Sequence, residues 1–423
     1  MSYLSDWLGL ANPPGSREDE RATRIGRPDR YMPFAQRLFG LLRRFRPIAP
    51  LPCFTVVSRY DDVQEVLTRP DVFKAPFAEE IARLNDGKAP GTPFILGIDD
   101  REAHDAQVGT VMRAFRREDI AGRVAPFAAQ RADAIVAEAS GKLDAIEHLV
   151  TRIPLDICRE YYGVPIEEPE KFIDAAFGVS GHLFGIPPVK VEPKVDRQAA
   201  MVRSAVDRAI QDETGSPSGE DTVVARLCRP SDGPALEARE IRAILIGMIV
   251  GFVPTNTMAG GNILEVLLRR PKMLEAAQAA AATGDDDLLA HCLFEALRFM
   301  PINCGPFRRC ERDFVIAGGT SRATRIRAGR YVLASTASAM FDRTAVEHPA
   351  LFVPGRPASN LMHFGFGMHW CVGAFIARAQ ITQTLKPLLK KRILARAPGS
   401  EGKLRRDFPV IGFPRHLTVR YEP

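Results

Sequence analysis

Ile241 to Leu268 is a 28-residue stretch dominated by apolar residues, and whatever this chain folds into must find a place for it. A helix of that length spans a bilayer. Pro254, Thr255, Asn256, Thr257 and two glycines, however, interrupt its apolar character midway, which lipid tolerates poorly and a protein interior can satisfy with hydrogen bonds. The stretch is therefore expected to be the central core helix of a large α-rich domain. At 423 residues and 46% hydrophobic content the chain has enough apolar surface to enclose it. Pro254 carries no N–H, so the carbonyl of Val250, four residues back, loses its helical partner and is open to water or substrate.

The second constraint is HFGFGMHWCVGAFIAR, His363 to Arg378. Gly365 and Gly367 space a loop that leads through His369 and Cys371 to Gly373, and apolar residues at helical spacing follow from Ala374 to Leu389. A cysteine just before a helix N-terminus sits at the positive end of the macrodipole, which predicts a lowered thiol pKa. Such a sulfur is a nucleophile or a metal ligand. No histidine-base motif surrounds it, and no CxxC or HxxxH pattern exists in the chain to build a zinc site. The glycines allow a tight turn and a close approach to a flat ligand, as a single thiolate under a haem iron requires.

The spacing of Phe364, Gly365, Gly367, His369, Cys371, Gly373 and Arg378 resembles the haem-binding loop of the cytochrome P450 family, in its soluble bacterial form. The resemblance runs in order from about residue 50 to the end. It implies haem b with Cys371 as the axial iron ligand, and Phe364, Gly365, Gly373 and His369 around the cofactor. RYDDVQEVL after the strand Phe54–Val57 is similar to the family's first sheet and following helix. In DDREAHDAQVGTVMRAF, His104 takes a propionate-binding position, while Val108 stands where the family has an arginine. Arg308, with Arg309 as the adjacent alternative, takes the other cationic position. Glu295 and Arg298 form the ExxR pair, on one helical face by their three-residue spacing. Phe352, Pro354 and Arg356 match the segment that locks that pair.

Gly251 to Thr255 fall where the family carries a small residue, a glycine, any residue, an acid and a threonine. Thr255 matches; Phe252 replaces the glycine and Pro254 the acid. The resemblance therefore places oxygen chemistry at Pro254, Thr255 and Asn256 without the family's proton-relaying carboxylate. Phe252 and Thr255, three apart, are expected to share the face over the haem. The implied activity is a monooxygenase that inserts one atom of O2 into a hydrophobic small molecule, with electrons from a ferredoxin and its reductase. The missing acid keeps open a peroxide-dependent oxygenase or a rearrangement enzyme, and also a haem-binding protein without turnover. Candidate pocket residues are Phe94, Leu96, Phe252, Ile302, Val410 and Ile411. Residues 74–97 are read as a long substrate-contacting loop, 164–215 as a helix–loop–helix lid, and 215–235 as exposed loop around a short apolar turn.

The expected fold is mainly α, with a large helical domain and a small β-rich lobe near the N-terminus. Residues 1–45 form an N-terminal arm and 46–423 a single catalytic domain. Seven cysteines at irregular spacings argue for a reducing cytoplasm and against a disulfide framework. The apolar start is too short to span a bilayer and is interrupted by Asp6, so no membrane partner is expected. A net charge of +6 without a basic tract interleaved with aromatics excludes nucleic-acid binding from the expectations. Arg113, Arg116 and Arg117, with Lys386, Lys390 and Lys391, are expected to form a basic patch beneath Cys371 for an acidic electron donor.

Overall fold

The computed structural model describes residues 34–187, 192–407 and 412–423. Its axis is the helix Ala238–Arg269, opened by a reciprocal capping box between Glu237 and Glu240. Among the described residues this is the helix long and apolar enough to cross a bilayer, and it is mostly buried inside the protein. Pro169–Leu183, Pro193–Gly215, Asp286–Phe299 and Ala374–Leu389 pack around it. The polar interruption at 254–257 is accommodated because side chains bond the helix's own carbonyls there, as described below.

The β-rich lobe is a five-stranded sheet with strands in the order Ile48–Pro50, Phe54–Val57, Tyr331–Ala334, Phe307–Cys310 and Phe73–Lys74. Phe54–Val57 runs parallel to Tyr331–Ala334, with Phe54 opposite Tyr331, and the remaining pairings are antiparallel. The lobe thus draws on residues 307–334 as much as on the N-terminal region. The described part of the N-terminal arm, the helix Phe34–Phe45, lies on this lobe. Phe39 is buried with Ala49, Val56 and Leu333, and Arg43 Nη1 donates to the Ser338 carbonyl at 2.9 Å.

The strand Phe54–Val57 and the helix Ala374–Leu389 begin and end where the residue pattern places them. Two expectations need correction. Residues 74–97 are not a continuous loop: Ala78–Asp86 is a helix that buries Ile81, Leu84 and Asn85, followed by a 3-10 turn at Ile95–Gly97. The surrounding prolines and glycines mask a periodicity only two turns long, and tertiary contacts such as the His182–Glu80 hydrogen bond and the Arg83–Asp196 ion pair hold it. Within 215–235 the helix Val223–Cys228 is largely buried, with the Thr222 hydroxyl accepting from Ala225 N at 3.2 Å. The C-terminal hairpin forms between Arg405–Arg406 and Pro414–His416. Its tip, with pocket candidates Val410 and Ile411, lies outside the described residues.

Candidate active site

The cysteine loop is held by backbone geometry that only glycine adopts easily. Gly365 and Gly367 have φ of 79° and 74°, and a Cβ on Gly367 would meet Leu67 O at 2.5 Å. Cys371 N donates to Phe364 O at 2.9 Å and Ala374 N to Cys371 O at 3.2 Å, which sets the sulfur one turn ahead of the helix Ala374–Leu389. Phe364 packs its ring 5.6 Å from that of Phe294. The thiol does not have the lowered pKa that its position predicts. Burial pushes it up to about 11, and the favourable Gly373 N–H only partly opposes this. Desolvation outweighs the helix terminus, so a thiolate here needs a cation bound to the sulfur.

Beneath the loop, Glu295 and Arg298 form a bidentate pair, Nη2–Oε1 at 2.7 Å and Nε–Oε2 at 3.0 Å, with both side chains fully buried. Arg356 Nε reaches Glu295 Oε1 at 2.9 Å, and Val353 N donates to the same oxygen at 3.0 Å. The spare guanidinium N–H groups go to carbonyls: Arg298 to Met340, Pro349 and Leu351, and Arg356 to Glu347, His348 and Leu351. Two cations against one carboxylate remain in a buried site because these carbonyl dipoles supply the rest. His363 ties the loop to this layer, its Nε2 donating to Phe294 O at 2.9 Å. Burial holds its pKa down at about 4, so the ring is neutral near pH 7.

At the loop's other side His369 meets Asp99, which the sequence pattern did not single out, and His104 and Arg308 lie beside it. His369 Nε2 and Asp99 Oδ1 are 3.0 Å apart, and the His104 and His369 rings meet edge to face at 5.2 Å. Asp99 also accepts from Ala75 N at 3.0 Å. Arg308 is buried, its pKa pushed down to about 10 by desolvation, and its guanidinium bonds only the Phe307 carbonyl among the described residues. His104 Nε2 and His369 Nδ1 are buried without a partner. Two orphaned ring nitrogens and an under-bonded buried guanidinium constitute a site for an anion, and the carboxylates of haem supply that chemistry. Val108 is half-buried against the core and adds no polar contact there. The tandem acids before the helix Arg101–Ala114 were the available signal for Asp99: Asp100 caps the helix, leaving Asp99 spare.

The central helix presents an open stripe at Gly247, Gly251 and Thr255, four residues apart, in an otherwise buried stretch. A Cβ on Gly251 would meet nothing within 4 Å, whereas Phe94 lies over Gly247. Phe252 is not on this stripe. It is buried against Tyr162, ring centroids 5.7 Å apart, and Tyr162 in turn stacks edge to face on Phe115 at 4.9 Å. At about 100° per residue Thr255 is flanked by both Gly251 and Phe252, and the aromatic pairing decides which of them turns inward. Around Pro254 the side chains bond the helix: Thr255 Oγ1 donates to Gly251 O, Asn256 Nδ2 to Phe252 O at 2.7 Å and Thr257 Oγ1 to Val253 O at 2.9 Å. Asn256 Oδ1 is left buried without a partner.

Phe94 is buried, and Leu96 and Ile302 are half-buried against the core. The expected basic patch divides in two. The Arg117 guanidinium lies 4.8 Å from the ring of Phe375, at the Cys371 end of the helix Ala374–Leu389, and Arg116 is 3.7 Å from Asp221. Lys386 pairs with Asp286 at 2.6 Å, eleven residues and about 16 Å further along that helix, and Lys391 sits over Tyr421.

A model of the cytochrome P450 family matches residues 208–415. Nocardicin C N-oxygenase of Nocardia uniformis subsp. tsuyamanensis is 26% identical over 348 residues, covering 79% of this chain and 81% of that protein. Erythromycin C-12 hydroxylase of Saccharopolyspora erythraea is 26% identical over 372 residues, 86% of this chain and 88% of the relative. The solved structure of open, histidine-tagged cytochrome P450 EryK from S. erythraea superposes with a TM-score of 0.74 at 25% identity, over 91% of this chain and 95% of that one.

Proposed function

We propose that the chain is a cytochrome P450, with haem and an axial cysteine thiolate as its cofactor chemistry, and that it oxygenates a hydrophobic small molecule with electrons from a ferredoxin and its reductase. The observation that carries the site assignment is the pair of orphaned nitrogens, His104 Nε2 and His369 Nδ1, beside the under-bonded Arg308. Together they would hold the two carboxylates of a haem, and Cys371 Sγ would be its iron ligand. When bound, the haem supplies the activation of O2 or peroxide.

The protein's own part is to shape the space and supply protons. Gly251 leaves room along the central helix, Phe94, seated over Gly247, gives that room an apolar wall together with Leu96 and Ile302, and Thr255 contributes the hydroxyl. Thr255 Oγ1 already donates to Gly251 O, so it hands on a proton only by turning away from that carbonyl. Val250 O, freed by Pro254, and the orphaned Asn256 Oδ1 are acceptors alone. They hold a water but do not titrate, so the proton comes through water instead of a carboxylate. The peroxide or rearrangement reading rests on this same replacement of the acid.

Two measurements separate the readings. Replacing Cys371 with His should abolish the thiolate-specific spectrum of the reduced carbon monoxide complex in a folded protein; an unchanged spectrum refutes the ligand assignment. Turnover should require ferredoxin, reductase and O2. Equal product from peroxide alone, with no gain from the reductase, favours the second reading.

A further inference from the structure

We infer that the outer face of the helix Phe34–Phe45, continued by Leu51, is a docking surface for an anionic phospholipid bilayer. Of the nine large apolar side chains exposed among the described residues, four fall between positions 38 and 51: Leu38 at 46%, Leu41 at 57%, Phe45 at 71% and Leu51 at 41%. Leu38, Leu41 and Phe45 are spaced i, i+3, i+7 and line one face. The opposite face is already occupied: Phe39 is buried on the sheet lobe, Gln36 Nε2 bonds Ala337 O at 3.3 Å, and Arg43 bonds Ser338. The helix is therefore anchored, and its apolar line points away from the core.

Charge selects the occupant. From Phe34 to Arg59 the chain has five arginines and no Asp or Glu. Arg43 and Arg59 turn toward the protein, whereas Arg37, Arg44 and Arg46 stand exposed beside the apolar line. Arg44 lies 5.1 Å from the ring of Phe45, a cation beside the most exposed apolar side chain of the group. An apolar ridge rimmed, among the described residues, by cations such as Arg44 and Arg46 fits the headgroup layer of an acidic membrane, where the leucines enter the acyl boundary and the arginines meet phosphate. Size argues against a protein partner. A twelve-residue helix offers a face of roughly 200 Å², against about 800 Å² per partner for a stable dimer. A bilayer needs only the ridge. The sequence-based expectation of no membrane partner is thereby revised for attachment to a surface, not for spanning, and the inference is independent of the chemistry at Cys371.

The test is flotation of the full-length, haem-loaded protein with vesicles of phosphatidylcholine alone and with an equal mixture of phosphatidylcholine and phosphatidylglycerol. Binding to the mixed vesicles is expected, at least about tenfold stronger than to phosphatidylcholine and weakened by salt. The triple variant Leu38→Ser, Leu41→Ser, Phe45→Ser and the pair Arg44→Glu, Arg46→Glu should each reduce it at least about tenfold while the carbon monoxide spectrum stays intact. No binding by the parent, or binding that the triple variant leaves unchanged, overturns the inference. So does concentration-dependent self-association that the triple variant abolishes, which identifies a second copy as the occupant. A lowered melting temperature in the triple variant without vesicle binding by the parent overturns it in favour of the chain's own N-terminal segment.

Discussion

The layer beneath the cysteine loop and the central helix around Pro254 both bury polar groups, but they treat them oppositely. Around Glu295 every carboxylate oxygen is bonded, and the guanidinium groups of Arg298 and Arg356 spread over five carbonyls, one of which, Leu351, serves both. Around Pro254 a carbonyl is freed, Asn256 Oδ1 has no partner, and three consecutive side chains bond the helix that carries them. The first region is closed and serves to hold the loop rigid. The second leaves a carbonyl and an amide oxygen unpaired in the helix that carries the open position Gly251, where the proposed function places substrate and water.

The largest effect should come from opening the closed region. Glu295→Gln leaves two buried guanidinium groups without their counter-charge and should cost about 3–5 kcal/mol, read as a collapse of haem-loaded yield and melting temperature. A fall of less than ~3 °C would erase the contrast between the two regions. Next is the pH dependence of His363. Its folded pKa of about 4 lies below the ordinary 6.5, so its contribution is complete above pH 6.5 and is lost as pH falls toward 4. The loss amounts to at most ~3 kcal/mol. His363→Gln keeps a donor for Phe294 O without titrating, so urea unfolding of the variant should be flatter than that of the parent across this window. Parallel curves would show that the ring is not held neutral by burial.

In the open region the effects are on chemistry and smaller in energy. Thr255→Ala should lower the coupling of reductant to product several-fold, and Pro254→Asp should raise it by restoring a titratable group. Efficient reductase-driven turnover insensitive to both places the proton route elsewhere. The smallest effect belongs to the protein's outer surface. Arg117→Glu, at the Cys371 end of its helix, should slow reduction by an acidic ferredoxin a few-fold at low salt, and Lys390→Glu should not. Equal slowing would rejoin the two halves of the basic patch that the fold separates.

Much of this protein is determined by sequence alone, wherever the constraint is local. Gly365 and Gly367 report the left-handed turns of the cysteine loop because no other residue adopts them cheaply, and the ExxR spacing puts Glu295 and Arg298 on one face of any helix. The polar interruption of the apolar stretch 241–268 likewise argues for a core helix. What tertiary structure alone decided depends on partners distant in the chain. Asp99 meets His369 across 270 positions. Phe252 turns to Tyr162 and leaves Gly251 facing the open stripe, a choice that 100° per residue does not make. The helix Ala78–Asp86 is too short to announce itself and is held by a hydrogen bond to the helix Pro169–Leu183 and an ion pair to Pro193–Gly215. The Cys371 thiol shows the same division: its place before a helix is visible in the sequence, but the burial that raises its pKa comes from everything folded around it.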